Sequence, residues 1–153
     1  KNNMKLAIVI SDYYEEVTDN LLEGAKSRYI KNIGNNFEEN VNIYKVPGAF
    51  EICGTVRQIL NSNSKYDAVI TFGCIIKGET AHFDYICHAV SNGIKDLSIH
   101  EKTTIPILFG VLTPLNHRQA IARSNIDDMD KGGEVMASAI ETIKIYKKIN
   151  SNK

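Results

Sequence analysis

The chain has no excess of either charge: eighteen Lys and Arg residues stand against eighteen Asp and Glu in 153 residues. That balance removes nucleic acid and membrane surfaces from the expected partners, because both are recognised through an excess of basic side chains. Cysteine is scarce. Cys53, Cys74 and Cys87 are an odd set without CxxC spacing, each inside an apolar segment. This excludes a disulfide framework and fits reduced, buried thiols in a reducing compartment. No apolar run approaches the roughly 20 residues that a membrane-spanning helix needs. Glycine-rich phosphate motifs are missing too, with neither a Walker sequence nor GxGxxG at the end of any candidate strand. No internal repeat or linker divides the sequence. Residues 1–153 are therefore read as one domain, long enough to bury a substantial core.

What is present is a repeated alternation of strand and helix patterns. Lys5–Ser11 reads as a buried strand, with Asp12–Tyr13–Tyr14 as the loop at its carboxyl end. Thr18 or Asp19 is placed to cap a helix carrying Leu21, Leu22, Ala25, Tyr29 and Ile30 on one stripe. Val41 to Val46 alternates as a second strand, and Pro47–Gly48 ends it. Ala49 to Leu60 has helical spacing, and Asn61 to Ser64 is a turn. Ala68 to Ile76 is an unbroken apolar run, the pattern of a strand covered on both faces. A helix follows with His82 near its start. Ile107 to Thr113 is a fourth strand, and a helix covers Asn116 to Arg123. A polar, acidic loop spans Ser124 to Gly133, the last helix runs from Glu134 to Lys148, and the tail Asn150 to Lys153 is expected to fray. This order predicts a layered α/β domain with a four-stranded, mainly parallel sheet and right-handed crossovers. A sheet that small leaves edges for a neighbouring subunit to cover, so an oligomer is expected. The start, Lys1–Asn2–Asn3–Met4, enters a strand with no apolar signal region. Met4 as the earliest methionine fits a chain that begins inside a longer precursor or behind added residues. The expected location is the cytoplasm, or a plastid if a leader preceded Lys1.

Chemistry-bearing residues gather at the carboxyl ends of these strands, which in a parallel sheet lie along one edge. They supply aromatic faces (Tyr13, Phe50, Phe109), a carboxylate (Glu51), a turn of backbone donors (Gly78–Glu79–Thr80) and one imidazole (His82). Together they suit a flat, polar heterocycle held beside a phosphorylated reactant. Each has a plainer reading. Isolated phenylalanines such as Phe50 and Phe109 more often belong to a core than to a substrate platform. A histidine that starts a helix is often a cap or a surface residue, the role assigned to His88, His100 and His117. Cys87–His88 lacks the spacing of a nucleophile or metal site, since adjacent helical residues do not face one another.

Three stretches carry the reading further. VPGAFEI (residues 46–52), GCIIKGETAHFD (73–84) and PILFGVLT (106–113) resemble, in order and spacing, the lumazine synthases of riboflavin biosynthesis, and the likeness runs from the first strand to the last helix. The resemblance implies a flavodoxin-like three-layer α/β/α sandwich that assembles as a homopentamer, or a multiple of pentamers, with active sites between subunits. It implies condensation of 5-amino-6-(D-ribitylamino)uracil with 3,4-dihydroxy-2-butanone 4-phosphate, with no metal and no organic cofactor, and riboflavin synthase as a potential partner. Residue by residue, it implies that Tyr13 stacks on the pyrimidine. Ala49, Phe50 and Glu51 would contact the ribityl chain and ring, and Ile75 and Ile76 read the uracil edge through backbone. Glu79, Thr80 and Arg123 would bind phosphate. Phe109 is implied to reach across the interface, Lys131 to approach the pyrimidine, and His82 to transfer protons.

The sequence also departs from that family. Tyr14 replaces a common Asn, Ala122 a common acidic residue, and Glu79 puts a carboxylate into the phosphate turn. The loop SNIDDMDK (residues 124–131) lacks the Gly-Lys-x-Gly-Asn-like form seen in members that build sixty-mers, which leaves pentamer against capsid open. The alternative function is a non-catalytic relative that binds riboflavin or lumazine, against which intact His82, Arg123 and Lys131 weigh. A stand-alone FMN electron carrier would need a Ser/Thr-rich loop after the first strand. Asp12–Tyr13–Tyr14–Glu15–Glu16 is acidic and glycine-free instead.

Overall fold

Strands Leu6–Ser11 (β1), Val41–Val46 (β2), Ala68–Cys74 (β3) and Ile107–Leu112 (β4) form one sheet in the order β2-β1-β3-β4. Every pairing is parallel, so the expected mainly parallel sheet is wholly parallel. The computed structural model of the chain describes residues 3–152. The expected strand entry at Lys1–Asn2 and the terminal Lys153 lie outside the described residues. Every residue of β1 and β3 is buried, as central strands covered on both faces must be, whereas β2 exposes its middle residues at one edge.

The helices are Glu15–Asn32 (α1), Phe37–Asn40 (α2), Ile52–Leu60 (α3), His82–Ile99 (α4), His117–Ser124 (α5) and Lys131–Asn150 (α6). The chain moves from β1 to β2 in one direction and from β2 through β3 to β4 in the other. Right-handed crossovers therefore place α1 on one face and α3 and α4 on the opposite one. One core joins α1, α5 and α6 to one face of the sheet through Leu21, Tyr29, Phe72 and Met136. The other joins α3 and α4 to the second face through Ile52, Val56, Val69 and Ile94. This is the layered α/β domain that the element order predicted, in the flavodoxin-like three-layer form that the resemblance implied. No helix among the described residues is long and apolar enough to cross a membrane.

Several boundaries differ from the sequence reading. Helix α1 begins at Glu15, with Tyr14 as its N-cap residue in the left-handed region (φ 60°). Thr18 lies inside the first turn, where its hydroxyl donates to Glu15 O at 3.3 Å, so neither Thr18 nor Asp19 caps the helix. The 49–60 segment opens as a 3-10 turn, Ala49–Glu51, before α3. Strand β3 stops at Cys74, leaving Ile75 and Ile76 in the following loop. The one-turn helix α2 was not expected. Helix α6 starts at Lys131 rather than Glu134 and runs to Asn150, so Asn150 is helical and not frayed.

Candidate active site

The strand order reverses between β1 and β3, because β2 lies on one side of β1 and β3 on the other. Open α/β sheets bind ligands beyond the carboxyl ends of such strands. A cavity of about 290 Å³ lies there, and three connections line it. Tyr13 and Tyr14 follow β1, and Ala49, Phe50 and Glu51 follow β2. Cys74, Ile75 and Ile76 close β3, and His82 and Ile86 come from the first turns of α4. The topology thus brings together seven of the residues proposed from the sequence: Tyr13, Ala49, Phe50, Glu51, Ile75, Ile76 and His82.

Tyr14 packs partly against the core, but the other two aromatic residues of this wall do not belong to it. Tyr13 is 64% exposed and Phe50 62% exposed, which leaves ring faces open to a planar ligand. The floor is uncharged. Burial pushes the Cys74 thiol from its ordinary 9.0 up to about 12, and burial, then Tyr13 and Cys74, raises the Tyr14 phenol. Glu51 and His82 supply the charge-bearing side chains of the lining. A larger, more open concavity of about 620 Å³ lies between α3 and α4, with Phe50 and Glu51 on its shared rim. It has fewer converging polar groups, so size alone does not select the site.

Arg123 and Lys131 lie elsewhere. They line a second cavity, of about 430 Å³, beyond β4, together with Thr113, Leu115, Gln119 and Glu134. Arg123 Nη1 donates to Gln119 O at 3.3 Å, which folds the guanidinium back along α5. The Lys131 ammonium donates to Glu134 Oε1 at 3.1 Å. Lys131 owes its place to the N-terminus of α6. There Asp130 is left-handed (φ 45°), and its carboxylate accepts the Gly133 N–H at 3.1 Å and meets Arg28 Nη2 at 3.4 Å.

Within one chain, then, seven of the proposed residues line one of these cavities, two line the other, and three line neither. Glu79 and Thr80 stand exposed in the loop before α4, outside the lining of either cavity, and the Thr80 hydroxyl accepts the His82 N–H at 3.4 Å. Phe109 lies on edge strand β4, 44% exposed, and lines neither cavity. The remaining histidines are surface residues, with His100 Nδ1 accepting the Lys102 N–H at 3.2 Å and His117 lying 3.8 Å from Glu16. Cys53 and Cys87 are only half-buried, contrary to the expectation for all three thiols, and all three are free. Sequence reasoning missed Ile86, Gln119 and Glu134 as lining residues. Their spacing was available: Ile86 is four residues after His82, Gln119 four before Arg123 and Glu134 three after Lys131, all same-face positions on a helix.

A sequence model of 6,7-dimethyl-8-ribityllumazine synthase matches residues 3–147, nearly the whole of this 153-residue chain. With the parallel sheet, the switch-point cavity and that match together, the chain belongs to the 6,7-dimethyl-8-ribityllumazine synthase family.

Proposed function

We propose that the chain condenses 5-amino-6-(D-ribitylamino)uracil with 3,4-dihydroxy-2-butanone 4-phosphate, giving 6,7-dimethyl-8-ribityllumazine, phosphate and water. The observation that carries this reading is the cavity where exposed aromatic faces, an uncharged floor, one carboxylate and one imidazole converge. Tyr13 stacks on the pyrimidine, Ala49, Phe50 and Glu51 hold the ribityl chain, and the backbone of Ile75 and Ile76 reads the ring edge. The amine attacks the ketone, a first water leaves as the imine forms, phosphate is eliminated, and the second nitrogen closes the ring on the remaining carbonyl with loss of a second water. These steps move protons near neutral pH, the range in which imidazole works, and His82 carries them.

Phosphate departure needs cationic and backbone donors around the developing anion, a role for Arg123 with Glu79 and Thr80. Within one chain Arg123 and Lys131 occupy a cavity apart from His82, and this supports a site assembled between subunits. In that assembly a closed ring, a homopentamer or a multiple of it, sets the Phe109, Arg123 and Lys131 side of one copy against the Tyr13 to His82 side of the next.

Lumazine formation from the two reactants, followed by absorbance and fluorescence, tests the proposal. We expect the wild type to exceed spontaneous condensation, and His82→Ala to be slower but measurable, because holding two reactants together supplies much of the acceleration by itself. Riboflavin binding without any rate above the spontaneous one would instead establish the non-catalytic relative.

A further inference from the structure

Gln119 is fixed at three points. Its backbone N–H donates to the Asn116 side chain at 2.9 Å, and its carbonyl accepts from Arg123 Nη1 at 3.3 Å. Its side-chain Oε1 accepts the Leu115 N–H at 2.8 Å. A backbone N–H can bond only to the oxygen of a carboxamide, so this last contact sets the orientation of the amide. The NH2 group is the end left over, and among the described residues it donates to no protein acceptor. It belongs to a residue lining the same cavity as Arg123 and Lys131. In that cavity Lys131 is paired with Glu134, which leaves Arg123 as the cation without a carboxylate partner among the described lining residues.

We infer that Gln119 is a further ligand-positioning residue, presenting an uncharged N–H donor to the phosphate group beside Arg123. The inference rests on the anion role given to Arg123 above. An amide whose oxygen is already engaged by the Leu115 N–H, on a residue whose backbone is fixed in the first turn of α5, costs little reorganisation when it meets an anion, and it adds a hydrogen bond to a charged acceptor without adding charge.

The test compares Gln119→Glu, Gln119→Met and Arg123→Ala in the assembled protein. Two quantities are read: the affinity for inorganic phosphate by titration calorimetry, and the KM for the phosphorylated ketone. Gln119→Glu keeps an acceptor for Leu115 but removes the donor. Gln119→Met removes both without introducing a charge. Both variants are expected to weaken phosphate binding and raise that KM by about tenfold or more, the worth of one hydrogen bond to a charged group. Wild-type binding by Gln119→Glu with loss in Gln119→Met would reduce Gln119 to a loop fastener and overturn the inference. Wild-type binding by Gln119→Met would overturn it as well. Unchanged phosphate binding in Arg123→Ala would remove the anion role of the cavity itself, an outcome separate from failure at Gln119 alone.

Discussion

Tyr14 shows how one residue shapes the cavity. A left-handed backbone costs a residue with a Cβ roughly 1–2 kcal/mol. Here it is offset because the Tyr14 carbonyl accepts the N–H groups of Val17 and Thr18, and because the ring packs against the core beside Cys74. That turn leaves Tyr13 outside, edge-on to Tyr14 with ring centroids 4.7 Å apart. Cys74, beneath it, gives a prediction with a definite sign. The folded chain holds the Cys74 proton up to about pH 12, whereas an exposed thiol loses it near 9.0. Raising the pH therefore strips the unfolded chain first, so this contribution is intact below about 9 and is lost as the pH approaches 12. Urea unfolding midpoints should fall over that alkaline window, and fall less steeply in Cys74→Ala. Parallel slopes would remove the thiol as the cause.

Among the elements, the crossing of α1 and α6 sets where Lys131 stands. A Cβ on Gly132 would lie 2.0 Å from the Leu21 carbonyl oxygen, so only glycine lets the first turn of α6 touch α1. Gly132→Ala should cost about 3 kcal/mol or more, as overpacking against backbone does, and should show as a lower denaturation midpoint. Gly54, inside α3, has nothing within 4 Å of where its Cβ would lie. Gly54→Ala should stabilise the chain by up to about 1 kcal/mol through helix propensity alone, and a loss there would reveal a close neighbour on that face. The same glycines explain a misplaced boundary. Gly132 and Gly133 after an Asp-rich stretch read as loop in the sequence, whereas in the fold Gly132 makes room for α1 and Gly133 for the Asp130 carboxylate that caps α6. Tyr14 likewise carries no capping signature, which is why the start of α1 was expected later.

At the scale of the molecule, one chain carries the two cavities apart from each other and leaves Phe109 on edge strand β4 exposed, and the proposed assembly would set these surfaces of neighbouring copies together. Sites formed between copies predict complementation. Glu51→Ala damages one side and Arg123→Ala the other, so each homogeneous assembly should lose most activity. Co-assembled in equal amounts, the two should regain about a quarter of the sites, the random-mixing expectation when each site takes one side from each copy. No recovery in a verified mixed assembly would return the whole site to one chain.

The sequence by itself determined the layered α/β order, the parallel sheet and the residues that meet at its carboxyl edge. Unbroken apolar runs in Ala68–Cys74 and Leu6–Ser11 permit burial on both faces, and a parallel sheet brings the strand ends together whatever lies between them. The motifs after β2 and β3 were legible for the same reason, being local in sequence. Only the tertiary structure decided that Arg123 and Lys131 stand apart from His82 within a chain, and that Gln119 and Glu134 share their cavity. Those relations depend on the placement of β4 at the far edge of the sheet and on the glycine-mediated approach of α6 to α1, and no local pattern encodes either distance.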